Sequence, residues 1–174
     1  MRQGRYQEAA RHHQQALALF QGLGNRAGEA NALTNLGAVD LAEGRCQQAA
    51  RHHQQALALF RELGDRAGEA EALNGIGEVL LATGQPGHAH AQHTVALGVA
   101  SQIGDTFEQA RAHSGLAGSY HATGDQGQAS HHWQQALALY TGLGVPEAGQ
   151  VRAQLTAAET ADQSGPHPPA GRSG

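Results

Sequence analysis

The sequence predicts an all-α solenoid built from antiparallel helix pairs, and three observations carry that reading. Residues Gly4 to Glu43 and Gly44 to Thr83 are identical at 28 of 40 aligned positions. Gly4, Gly44, Gly84 and Gly124 continue the same 40-residue step along the chain. Aromatic residues are only 4% of the 174, so alanine, leucine and glycine carry the apolar content. A long regular period marks supersecondary units that bury a core only by stacking on their neighbours. Small apolar side chains suit that, because they let helices approach closely.

The elements follow in order. Tyr6, Ala9, His13, Ala16, Leu17 and Phe20 fall on one helical face, which predicts a helix over 5–21. Gly24 is placed to end it in a left-handed cap, a conformation glycine adopts without steric cost. Asn25, Asp65 and Asp105 recur at the next starts, where a short side-chain oxygen accepts from free helical N–H groups. Glu29, Glu69 and Glu108 follow in or near the first turn, where negative charge suits the helix dipole. The second helix, 25–43, carries Ala30, Leu33, Leu36, Gly37 and Leu41 on one line. The same logic predicts helices over 45–62, 65–83, 85–102, 105–123 and 125–141. Pro86 sits at a helix start, where its missing N–H does no harm. A more polar helix over 146–162 is expected to close the stack. The array is thus expected to span 1–162, as a partial first repeat, about three full repeats and that closing helix. Residues 163–174, rich in Pro, Gly and Ser, are expected to be disordered.

Composition excludes several classes of function. All 11 cationic residues are arginine, there is no lysine, and the formal net charge is −4. No basic stripe offers itself to nucleic-acid phosphates. No apolar run approaches the roughly 20 residues of a membrane span, and the N-terminus lacks a signal core. The single Cys46 has no intramolecular partner, which fits a reducing compartment. A soluble, cytoplasmic protein is expected, without contact to nucleic acid or membrane.

Catalytic and metal chemistry find little footing. Twelve histidines are present, with His12-His13, His52-His53 and His131-His132 adjacent and His90 and His93 three apart. Helical neighbours diverge by about 100°, so an adjacent pair does not chelate. Zinc needs three or four convergent ligands. His13, His53 and His93 are read instead as fillers of one packing slot that recurs every 40 residues. A phosphate-binding P-loop needs a lysine. Ser114-Gly115 and Ser119 lack the strand–turn–helix setting of a nucleophile elbow, and Glu69 and Glu71 diverge along one helix. No enzyme activity, metal or cofactor is expected.

The repeat resembles the tetratricopeptide repeat. The residues that carry the likeness are the step Leu36-Gly37, Ile76-Gly77 and Leu116-Ala117, and the alanine pairs Ala49/Ala56, Ala89/Ala96 and Ala129/Ala136. The sequence departs from that family at Leu33, Leu73 and His113, where a tryptophan is usual, and at Asp40 and Leu80, where an aromatic is usual. The family's second-helix aromatic is His13, His53, His93 and then Trp133, and its closing proline is absent. The unit is also longer than usual, like the arrays of spindle-orientation adaptors and those ending large bacterial regulators and signalling NTPases. The resemblance implies a right-handed superhelix and a non-enzymatic scaffold that binds a protein or peptide in its concave groove. The alternative it implies is the C-terminal sensor portion of a larger bacterial transcription regulator or signalling NTPase.

Carried over position by position, the resemblance puts the first helix of each pair on the inner face. The partner-binding residues would be Asn31, Thr34 and Asn35, then Glu71, Asn74 and Glu78, then Arg111, Ser114 and His121. The first two units differ at these places while the second helix stays nearly constant, as expected of a shared framework with a varied face. Glu71 and Glu78, two helical turns apart, make the middle acidic, with Arg111 offsetting part of that charge. Asn74 between them is expected to hold an extended backbone, and the partner segment to carry an Arg or Lys. The first helix, entered directly from Met1, lacks an upstream cover, so self-association through it is a further expectation.

Overall fold

The computed structural model describes residues 2–163; Met1 and 164–174, and with them all of the expected disordered tail but Gln163, lie outside the described residues. Eight helices follow one another: α1 (Arg2–Gly22), α2 (Arg26–Ala42), α3 (Cys46–Leu63), α4 (Arg66–Ala82), α5 (Pro86–Ile103), α6 (Thr106–Thr123), α7 (Gln126–Leu143) and α8 (Glu147–Gln163). There is no strand among the described residues. Each helix packs on the next, and α2 also meets α4, and α4 meets α6. The even-numbered helices therefore form one layer of an all-α helical-repeat solenoid, and the odd-numbered ones the other.

The punctuation is as the sequence predicts. The side chains of Asn25, Asp65 and Asp105 accept from the backbone N–H three residues on, at 2.9–3.0 Å, and Asp125 does the same for α7. Gly64, Gly104 and Gly144 close α3, α5 and α7 at φ 68°, 73° and 69°. A side chain at those positions would be strained.

Two interlocks repeat along the stack. The first joins an odd helix to the even helix after it. Phe20 lies against Gly28 and Phe60 against Gly68, so closely that a Cβ on either glycine would collide with the ring. One unit later both members change together: the aromatic becomes Ala100 and the glycine becomes Glu108. After that Tyr140 faces the position of Ala148. Volume lost on one side is regained on the other, as close packing requires.

The second interlock is the histidine slot. His53 and His93 are fully buried. A Cβ at Gly37 would lie 2.6 Å from His53 Nε2, and one at Gly75 would lie 2.5 Å from its Cε1. His93 is clamped in the same way between Gly77 and Gly115. The rings thus fill the space where consecutive even helices cross closely, and Trp133 fills it in the last unit. His13, in α1, is only half-buried.

Candidate functional site

The even helices carry the residues expected on the inner face, and the structure sorts them into three groups. Asn31 and Asn35 of α2 are exposed, as is His121 of α6, whose ring lies 5.4 Å from that of Trp133. Glu71, Glu78, Arg111 and Ser114 are half-buried. Thr34 and Asn74 are buried, and here the sequence-based expectation is corrected. Thr34 turns its hydroxyl back onto the Ala30 carbonyl at 3.1 Å, a habit of helical threonine that satisfies it locally. Asn74 is fully occupied inside the stack: its amide donates to the Glu108 carbonyl (3.1 Å) and carboxylate (2.8 Å), and its Oδ1 faces His93 Nδ1 at 2.9 Å. It has nothing left for a partner's backbone. Because Oδ1 can only accept, His93 Nδ1 carries the proton.

The half-buried group centres on Arg111. Its Nε and Nη2 donate to the two carboxylate oxygens of Glu78 at 2.6 and 2.9 Å, a bidentate pair across α6 and α4. Its Nη1 lies 3.5 Å from Glu108 and 3.5 Å from the Glu71 carbonyl. Burial works to raise the Glu78 carboxyl, but the charge and hydrogen bonds of Arg111 outweigh it and hold the group below its ordinary value. Burial opposes the charge of Arg111 too, and Glu78, Glu108 and Glu71 together keep it firmly protonated. Glu71 and Glu108 are raised, first by burial and then, for Glu71, by Glu108 nearby. The expected acidic pair is therefore unequal: Glu78 is neutralised by Arg111, and Glu71 bears the less compensated charge.

Along the same face a cavity of about 340 Å³ opens among α4, α6, α7 and α8. Glu78, Arg111 and Ser114 line one side; Phe107, Trp133 and Tyr140 supply aromatic walls; Glu147, Gln150 and Gln154 come from α8. Residues 147, 150 and 154 share one helical face by spacing alone. Sequence reasoning missed these α8 residues because it read that helix only as a closing cap. It missed Glu108 because first-turn acids are ordinary dipole partners.

Among the described residues no group of three or more His, Cys, Asp or Glu is arranged to hold a metal, and no helix is long and apolar enough to cross a membrane. The histidines on the other side of α6 make ring contacts instead. His113 and His132 share a hydrogen bond between their Nδ1 atoms at 2.9 Å, and His132 stacks on Tyr120.

Stacked helix pairs define a helical-repeat scaffold, an architecture commonly used for protein interaction. The chain belongs to the tetratricopeptide-repeat family, whose sequence profile matches residues 1–62 and 28–102. No curated protein sequence matches it. Among solved structures it is similar to a Rap protein complexed with competence and sporulation factor, at 17% identity and a TM-score of 0.85, over 93% of this chain and 46% of that one. It is similar to BtubC from P. vanneervenii at 18% identity and a TM-score of 0.68, over 99% and 80% of the two chains. The TPR domain of Arabidopsis FLU aligns at 22% identity and a TM-score of 0.61, over 65% of this chain and 95% of that domain. The chain spans about half the length of the Rap protein it matches. At these identities the likeness is one of fold.

Proposed function

We propose that the chain is a non-enzymatic scaffold whose inner face, formed by α2, α4, α6 and the start of α8, receives an extended segment of a protein partner. One observation carries this reading. Exposed amides at Asn31 and Asn35 share the inner layer with a cavity that mixes aromatic walls and polar groups, the lining typical of a site that orients a ligand by few polar contacts. The contact set is Asn31, Asn35, Glu71, Glu78, Arg111, Ser114 and His121, joined by Gln150 and Gln154; Thr34 and Asn74 leave it. A photo-crosslinking residue at Asn35 or Gln150 tests this, with the exposed Arg51 of α3 as the outer-face control. Capture of one partner from the inner positions and not from Arg51 is expected. Capture from Arg51 alone would overturn the groove assignment.

A second reading makes the array the regulatory portion of a larger protein in the cytoplasm. It is supported by the Rap protein, of which this chain spans 46%. Expression of the intact gene product, sized by mass spectrometry, tests it: a mass no larger than this chain's would refute it.

A further inference from the structure

We propose that a hollow between α1 and α3 is a second binding site, for a small neutral molecule with an apolar body and one hydroxyl, and that His52 receives the hydroxyl. This goes beyond the groove reading and does not depend on it. The hollow holds about 340 Å³, within the range of small-molecule sites. It stays open because α1 and α3 each pack on α2 rather than on one another. Leu17 of α1, Leu33 of α2, and Ala58 and Leu59 of α3 give it an aliphatic lining. Leu33 and Leu59 are its buried floor, while Leu17 is half-buried and Ala58 exposed.

His52 is held in place for that role. Its Nδ1 lies 2.8 Å from Asp40 Oδ2. A carboxylate only accepts, so Nδ1 carries the proton and Nε2 is the bare acceptor of the neutral ring. The side chain is 26% exposed where it lines the hollow. Unlike the nitrogens of His53, Nε2 is not sealed from solvent, so a ligand can reach it. Asp40 itself is buried, and its other oxygen accepts from Arg45 Nε at 2.8 Å. In the next unit Asp40, Arg45 and His52 change together, to Leu80, Gln85 and Gln92. A leucine thus suffices for packing at this position. Burying a carboxylate there instead costs desolvation, and what it adds is a fixed ring with a fixed tautomer. The rim sets the ligand's charge. Arg26 is spent on Glu62 at 2.7 Å and Glu29 at 3.4 Å, so one arginine faces two carboxylates. That net negative rim turns anions away, and the aliphatic lining offers no compensation to a buried ammonium.

The probes are cyclohexanol, methoxycyclohexane, cyclohexylamine and cyclohexanecarboxylate, followed by ligand saturation-transfer NMR. A proton–nitrogen correlation of the histidine rings reads His52 directly. Cyclohexanol is expected to bind saturably, to shift His52 Nε2, and to bind about fivefold tighter than methoxycyclohexane, which has no proton to donate. The amine and the carboxylate should bind more weakly than cyclohexanol. His52→Gln and Asp40→Leu should each remove the preference for the alcohol over the ether while leaving ether binding unchanged, which a merely structural role would not do. Ala58→Trp, filling the hollow from α3, should abolish binding of both, with helicity followed by circular dichroism in every variant. Equal binding of alcohol and ether, no saturable binding up to the solubility of the probes, or a preference that survives His52→Gln would overturn the assignment. A blocked peptide with a central tyrosine that outcompetes cyclohexanol would make the occupant a partner's side chain, and would overturn the small-molecule reading.

Discussion

Acid should loosen the stack through its two clamped histidines. His53 is fully buried and neither of its ring nitrogens has a hydrogen-bond partner; His93 has one, on Nδ1, and its Nε2 has none. Burial, with Arg111 contributing, lowers each from 6.5 to about 4. The unfolded chain therefore binds protons that the folded one refuses. The stabilisation is fully present above about pH 6.5 and is lost as pH falls through 4. At pH 5 an unfolded histidine is almost wholly protonated and the folded one barely so. Linkage then gives a loss of about 2 kcal/mol per histidine, or about 4 kcal/mol for the pair. Glu71 and Glu108 act in the opposite sense, because their raised carboxyls bind protons more readily when folded. His113 and His132, lowered first by burial and then by neighbouring histidines, add to the loss, so comparison of variants isolates the two clamped rings. Urea unfolding by circular dichroism at pH 7.5 and pH 5 should show His53→Leu and His93→Leu each removing about 2 kcal/mol of the acid-dependent loss, whatever their own baseline stability. If both variants keep the native pH slope, the rings are not refusing protons and the argument fails.

Further outcomes follow from packing and charge. Gly77→Leu should cost about 3 kcal/mol in unfolding free energy, because His93 is held by Gly115 behind and cannot retreat; an unchanged thermal midpoint would refute the clamp. Ala100→Phe should destabilise by about 1–3 kcal/mol and be rescued in part by adding Glu108→Gly, which relieves the crowding but also removes the carboxylate that accepts from Asn74, as a double-mutant cycle would show. Arg111→Met should be destabilising by about 3 kcal/mol or more, because it leaves Glu78 half-buried and unpaired; Glu78→Gln in the same chain should recover part of that. Leu19 and Leu23 of α1 are 67% and 77% exposed, and light scattering should show association that Leu19→Glu with Leu23→Glu abolishes.

What could be read from the sequence was what is local or periodic. Asn25, Asp65 and Asp105 declare the helix starts because a cap bonds only three residues away. The steps Leu36-Gly37 and Ile76-Gly77 were legible because they recur at the 40-residue period; that each glycine faces a histidine ring was not, because the ring lies 16 residues on in the next helix. Asn74 was misread because its partners lie 19 and 34 residues off, and no local pattern distinguishes an asparagine facing a groove from one facing the next helix. Glu108 is intelligible only together with Ala100, since the two stand where the earlier units have glycine and phenylalanine. Glu147 stands where Phe107 and Ala67 stand one and two units before, a change of chemistry that no single unit reveals.

The matched pairs Phe20/Gly28, Phe60/Gly68 and Ala100/Glu108 each lie inside one 40-residue block that runs from an odd helix through the following even one. Between blocks the contact falls on Gly37, Gly77 or Ala117, always a small residue. The array consequently has two kinds of seam. Cutting at Gly44 or Gly84 keeps Phe20, Phe60 and Ala100 with their matched partners and parts His53 or His93 only from the glycine of the preceding block, a position that is small in every block. Cutting at Gly64 or Gly104 separates the matched partners, and a chain joined from Gly64 to Asp105 would set Phe60 against Glu108. Joining blocks at the first seam would lengthen the array one whole block at a time with each of these pairs intact.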